Sequence, residues 1–218
     1  MLLVPARDLL TVVRDRPVRR TAQLLVGLVL FGLAAALLLR SGLGLDPWNV
    51  FGQGLARVAG LSLGTTTLLL SFVVLALWIP LRQAPGLGTL ANAVIIGPVI
   101  DLGLRIFPTA TGLLEQVVFV VVSIPLTAFA SGLYVGAGLG PGPRDGLMTG
   151  LHRRFGVPIW AARCSVEATV LLIGWLLGGV VGVATVLFAV TIGPLVHVAL
   201  RRLSVPPPPG APGQQPAH

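Results

Sequence analysis

Two of the chain's few ionisable residues stand at matched places in apolar surroundings, Asp101 three residues past Pro98 and His197 three residues past Pro194. Four residues beyond each comes an arginine, Arg105 and Arg201. A charged group near the centre of a bilayer costs roughly 3 kcal/mol, so such groups face a protein interior or an aqueous vestibule. Two chemistries suit them. One is a structural ion pair, as Asp101 and Arg105 can form along one helix face; the other is the handling of protons or a substrate. Glu167, four residues after Arg163, and Asn92 extend this candidate polar lining, and Asn49, Gln53 and Asp145 add to it from two short segments.

Other chemistry finds little support. Gly60-Leu61-Ser62-Leu63-Gly64 matches the GxSxG pattern of a nucleophile elbow, but the elbow needs a strand before its serine, and an apolar helical context offers none. No HExxH pair occurs, and a chain without lysine cannot carry the GxxxxGK[ST] phosphate loop. Cys164 is alone, which excludes an internal disulfide or a cysteine metal site, and it reads as a small buried side chain. No catalytic residue, metal or cofactor is therefore expected, and the chain does not read as an enzyme.

The elements that must position these residues lie in a bilayer. Of 218 residues 55% are hydrophobic and only 10% charged, a balance that no soluble domain of this length sustains. Six apolar runs approach the length needed to span the hydrocarbon: Thr21 to Leu39, Leu61 to Leu81, Thr89 to Phe107, Leu114 to Val135, Ala162 to Leu177 and Val181 to Leu200. The net charge of +8 comes from arginines at the ends of these runs, not from a patch interleaved with aromatics, which argues against nucleic acid. With the N-terminus inside, twelve arginines fall on the cytoplasmic side and only Arg40, Arg57 and Arg105 outside. That bias places both termini in the cytoplasm. Residues 1–20 read as an amphipathic cytoplasmic segment, and the proline-rich residues 203–218 as a disordered tail.

The chain also repeats itself. Gly42 to Gly60 returns 96 residues later as Gly138 to Gly156 with its glycine and proline punctuation in register, and Ile96-Gly97-Pro98 returns as Ile192-Gly193-Pro194. Residues 21–107 and 114–202 are then two copies of three spans each, and an odd number of spans turns the second copy upside down. The expected fold is all-α, six transmembrane helices as two inverted three-helix repeats with a short half-helix in each. The half-helices open at Pro47 and Pro143 and end at Gly60 and Gly156, with Asp46 as a cap. Each is about half a span long and fits either the interface or a re-entrant segment, and its presence in both copies favours the re-entrant form. Gly97-Pro98 and Gly193-Pro194 predict bends at matching depths in the third and sixth spans.

Gly44, Pro47-Trp48, Gly54, Gly60, Gly64-Thr65, Gly88-Thr89, Gly97 and Asp101 together resemble the pattern of the YczE/YyaS/YitT family of bacterial integral membrane proteins. The resemblance spans roughly residues 20 to 202 and is clearer in the first copy. It implies a multi-pass plasma-membrane protein for which small-molecule transport or export has been proposed, and it carries over no catalytic residue. The expected partners are the lipid bilayer and a small-molecule substrate, with a homodimer compatible with the chain's size. The other reading is an accessory or scaffold protein that transports nothing.

Overall fold

Proline and glycine set the helix boundaries. The computed structural model describes residues 16–206, which form eight α-helices: α1 (Pro17–Ser41), α2 (Pro47–Ala59), α3 (Leu63–Trp78), α4 (Leu87–Ile106), α5 (Leu113–Gly136), α6 (Pro143–Phe155), α7 (Ile159–Leu176) and α8 (Val183–Leu203). Proline occupies the first turn of α1, α2 and α6, where its missing N–H is no loss. Ser62 caps α3 by accepting the Thr65 N–H at 3.1 Å. The short helices α2 and α6 stop at Gly60 (φ +67°) and Gly156 (φ +70°), a left-handed conformation that glycine adopts without strain.

Every helix start of the first half recurs 96 residues later: Pro17 and Leu113, Pro47 and Pro143, Leu63 and Ile159, Leu87 and Val183. The connecting backbone repeats as well. Gly42 and Gly138 have φ of +70° and +72°, and Gly44 and Gly140 of +114° and +124°.

Five helices, α1, α4, α5, α7 and α8, are long and apolar enough to cross a membrane. The second expected span, Leu61 to Leu81, is shorter than its hydrophobic run. Helix α3 has 16 residues, about 24 Å at 1.5 Å per residue, and passes the same test only together with α2, from which it is bent by 110°. Helix α1 opens earlier than the expected boundary at residue 21, because Pro17 starts it and Arg20 is drawn inside, donating to the carbonyls of Ala137 and Pro206 at 2.8 Å each.

The core forms where α1 and α5 pack antiparallel. Arg20 reaches Ala137, Gly27 lies against Ala130 and Tyr134, and Leu38 joins a buried cluster with Val120 and Ile124. Helices α4 and α8 flank this pair, on α1 and α5 respectively, and each short helix crosses to the other half, α2 onto α7 and α6 onto α3. Two matched hydrogen bonds tie the halves. Gly88 N–H donates to Leu139 at 2.8 Å, and Ala184 N–H, 96 residues on, donates to Leu43 at 3.0 Å.

Gln23 donates to the Leu203 carbonyl at 2.6 Å, so α1 begins beside the end of α8. The first residues of the expected disordered tail are held there too. Val205 is buried and its N–H donates to Gly136 at 2.9 Å, because the end of α5 offers a free carbonyl. The remainder of that tail, and most of the N-terminal basic segment, lie outside the described residues.

Candidate functional site

The N-terminal ends of both short helices reach one region beside Phe31, which sits near the middle of the 25-residue α1. Asp46, at the cap position of α2, is almost wholly buried, and Arg144, in the first turn of α6, stands 3.4 Å from its carboxylate. The expected cap is made differently: the Asp46 carboxylate accepts no backbone N–H of α2 and instead accepts the Asn49 side-chain amide at 2.5 Å. The Arg144 guanidinium carbon lies 5.1 Å from the centre of the Phe31 ring, and the Tyr134 ring meets Phe31 edge-on at 5.9 Å. Tyr134 in turn donates its hydroxyl to Asp145 at 3.1 Å.

A cavity of about 250 Å³ opens beside this network, lined in part by Trp48, Tyr134, Arg144, Asp145, Arg163 and Glu167. Arg163 and Glu167 pair across one turn of α7 at 3.0 Å. A smaller cavity of about 70 Å³ shares Phe31, Trp48 and Arg144 with the larger and has Asn49, Thr67, Ser71 and Asn92 among its walls. Buried charge is tolerated here because each carboxylate finds a guanidinium, an amide or a hydroxyl. The larger cavity offers fixed charges of both signs, aromatic faces and two helix N-termini, which suits a small polar molecule with an apolar part.

The expected polar residues divide accordingly. Asp145 and Glu167 line the larger cavity, and Asn49 and Asn92 the smaller. Gln53 lies apart, accepting the Val180 N–H at 2.7 Å, and Arg57 on the same face donates to the Gly178 carbonyl at 2.5 Å, so this stripe fastens α2 to the turn after α7. Asp101 does not pair with Arg105. Its carboxylate accepts the Gly64 N–H at 2.8 Å and the Ser62 hydroxyl, because the unsatisfied N–H groups opening α3 are closer and better aligned. The serine of the elbow-like pattern is thus a helix cap. His197 is exposed on α8 and lines neither cavity, and Cys164 is exposed where a buried side chain was expected.

The helix breaks fall into place unequally. Pro98 and Pro194 lie inside the continuous helices α4 and α8. Gly97 is pressed against α3, where a Cβ would come 2.3 Å from the Gly64 carbonyl oxygen, whereas a Cβ at Gly193 would meet nothing within 4 Å.

Composition concealed Arg144, Asp46 and Tyr134. Arg144 reads as one more cytoplasmic charge, yet its side chain belongs to the interior. The repeat held the missing signal, since the 96-residue offset sets Arg144 opposite Trp48 and Asp145 opposite Asn49.

A family of unknown function, DUF6198, matches residues 18–201. The chain belongs to that family. An uncharacterised protein of Haemophilus influenzae is 41% identical over 81% of this chain and 81% of its own. The uncharacterised membrane protein YczE of Bacillus subtilis is 30% identical over 80% of this chain and 82% of its own length, and YyaS of the same organism 27% identical over 79% and 88%. The likeness carried by Pro47-Trp48, Gly64-Thr65, Gly97 and Asp101 is therefore a family relationship with YczE and YyaS, and the chain is a multi-pass membrane protein. No solved structure matches it.

Proposed function

We propose that this DUF6198 member is a small secondary transporter of the plasma membrane, not an enzyme, built from two inverted three-span repeats with both termini in the cytoplasm. The observation that carries the reading is the meeting of the α2 and α6 N-termini beside Phe31, at mid-depth along α1, with a charged cavity next to them. Paired, interrupted helices converging at one depth are the usual form of a transporter's substrate site. The antiparallel packing of α1 on α5 and the matched helix starts support the inversion, and the contact of Gln23 with Leu203 supports termini on one side. The short helices are read as re-entrant. No phosphate loop is present, so an ion gradient drives the cycle, with Asp145 and Glu167 as the carboxylates in the passage.

The test is reconstitution of the purified protein into vesicles, presented with a cell extract under an imposed pH gradient, with the lumen analysed by mass spectrometry. A compound that accumulates with the wild type and not with Arg144→Ala supports transport. If nothing accumulates beyond protein-free vesicles, the accessory reading stands instead. That reading has its own support in the exposed apolar surface of α7 and α8, including Trp160, Trp175 and Val190, which a second copy or another membrane protein would cover.

A further inference from the structure

The two cavities are counterparts. At the 96-residue offset Asn49 of the smaller corresponds to Asp145 of the larger, Thr67 to Arg163, Ser71 to Glu167 and Ile96 to Ile192, while Trp48 and Arg144 correspond to each other and line both. Their sizes differ, about 70 Å³ against about 250 Å³. The flanking helices differ as well. Helices α3 and α4 are closed on each other at Gly64 and Gly97, where a Cβ on Gly64 would lie 2.2 Å from the Gly97 carbonyl oxygen, and Asp101 fastens the contact through Gly64 N–H and Ser62. The corresponding α7 and α8 have parted. Trp160, Gly193 and His197, which answer to Gly64, Gly97 and Asp101, are all exposed. A glycine within a helix that touches nothing is unexplained by this arrangement, since glycine weakens helices and its use is close approach.

We propose that the protein exchanges the two arrangements: α7 and α8 close with Trp160 over Gly193 as α3 and α4 part, so that the cavity moves from one mouth to the other. Asp101, bound to Gly64 and Ser62, is the latch that holds the α3–α4 mouth shut. This rests on the two-repeat reading under the proposed function. The second closed packing differs from the first, because Trp160 cannot repeat the Gly64–Gly97 backbone contact and lies over Gly193 instead, and the exchange needs the two packings to be of similar energy.

Spin-label distances in the full chain, in lipid nanodiscs and with Cys164→Ser, test the exchange. One pair, Thr65→Cys with Leu102→Cys, spans α3 and α4; its counterpart, Ala161→Cys with Val198→Cys, spans α7 and α8. Asp101→Asn, or the milder Ser62→Ala, is expected to bring up a longer α3–α4 distance together with a shorter α7–α8 distance of equal weight. Gly193→Leu, which has room in the present arrangement, is expected to fold normally and to abolish both new peaks in the Ser62→Ala background. Unchanged distributions in both latch variants, or an α3–α4 change without its α7–α8 partner, overturn the proposal. Moving distances without flux of any compound would instead refute only the transport reading, and flux with fixed distances would refute only the exchange.

Discussion

Arg144, in the first turn of α6, stands 3.4 Å from Asp46, the residue that precedes α2, so one ion pair joins the entrances of both short helices. The Asp46 side chain is only 5% exposed and that of Arg144 26%, which leaves the carboxylate far more dependent on its partner than the reverse. Arg144 lines both cavities and Asp46 the larger, so loss of the pair should be felt in both.

Removing one partner of a buried pair strands the other charge. Arg144→Ala is expected to destabilise the protein by about 2–3 kcal/mol, at or below the bottom of the range for fully buried pairs because Arg144 is partly exposed. Asp46→Asn combined with Arg144→Gln should recover much of that loss. Thermal unfolding in detergent checks both, and equal melting of the single and double variants would show the pair to be energetically idle.

Glycine contacts predict a graded series. A Cβ at Gly54 would lie 2.5 Å from the Gly174 carbonyl oxygen and one at Gly174 2.5 Å from Phe51 backbone, so Ala at either place forces α2 away from α7 and should cost about 1–3 kcal/mol. Gly60 has open space but φ of +67°, and Ala there should cost about 1 kcal/mol from backbone strain alone. Gly112→Ala meets neither obstacle and should cost only about 0.5 kcal/mol, from poorer capping of α5.

The indole N–H groups of Trp78 and Trp48 should respond differently. Trp78 donates its N–H to the Pro143 carbonyl at 3.0 Å, whereas the Trp48 N–H is buried with no partner among the described residues. Trp78→Phe leaves a carbonyl unsatisfied and should cost at least about 1 kcal/mol more than Trp48→Phe by the same melting measurement. If Trp48 serves the proposed substrate, Trp48→Phe should lower flux while leaving stability nearly intact.

Much of the helix layout could be read in advance because it rests on local chemistry. Pro47, Pro143, Gly60 and Gly156 fix boundaries by their own backbone geometry, and the repeat copies those boundaries from one half to the other. Partner choice was less legible. Asp101 and Arg105 have the spacing of a helical pair, but the α3 N-terminus, 37 residues away in sequence, offers Asp101 better donors. Arg144 shows its charge in the sequence and conceals its depth, which only the packing of α6 against α3 determines. The hydrophobic run from Leu61 to Leu81 likewise hides the end of α3 at Trp78, because apolar residues continue into the turn that follows.

The central claim is that the halves face opposite ways, and the ends of the short helices report it most directly. Arg57 and Arg153, near the C-terminal ends of α2 and α6, are both exposed and occupy corresponding positions. With Cys164→Ser, single cysteines at 57 and 153 can be treated with a membrane-impermeant thiol reagent on intact spheroplasts and again after permeabilisation. The account predicts that position 57 is labelled from outside and position 153 only once the membrane is opened. Labelling of both from the same side would contradict it.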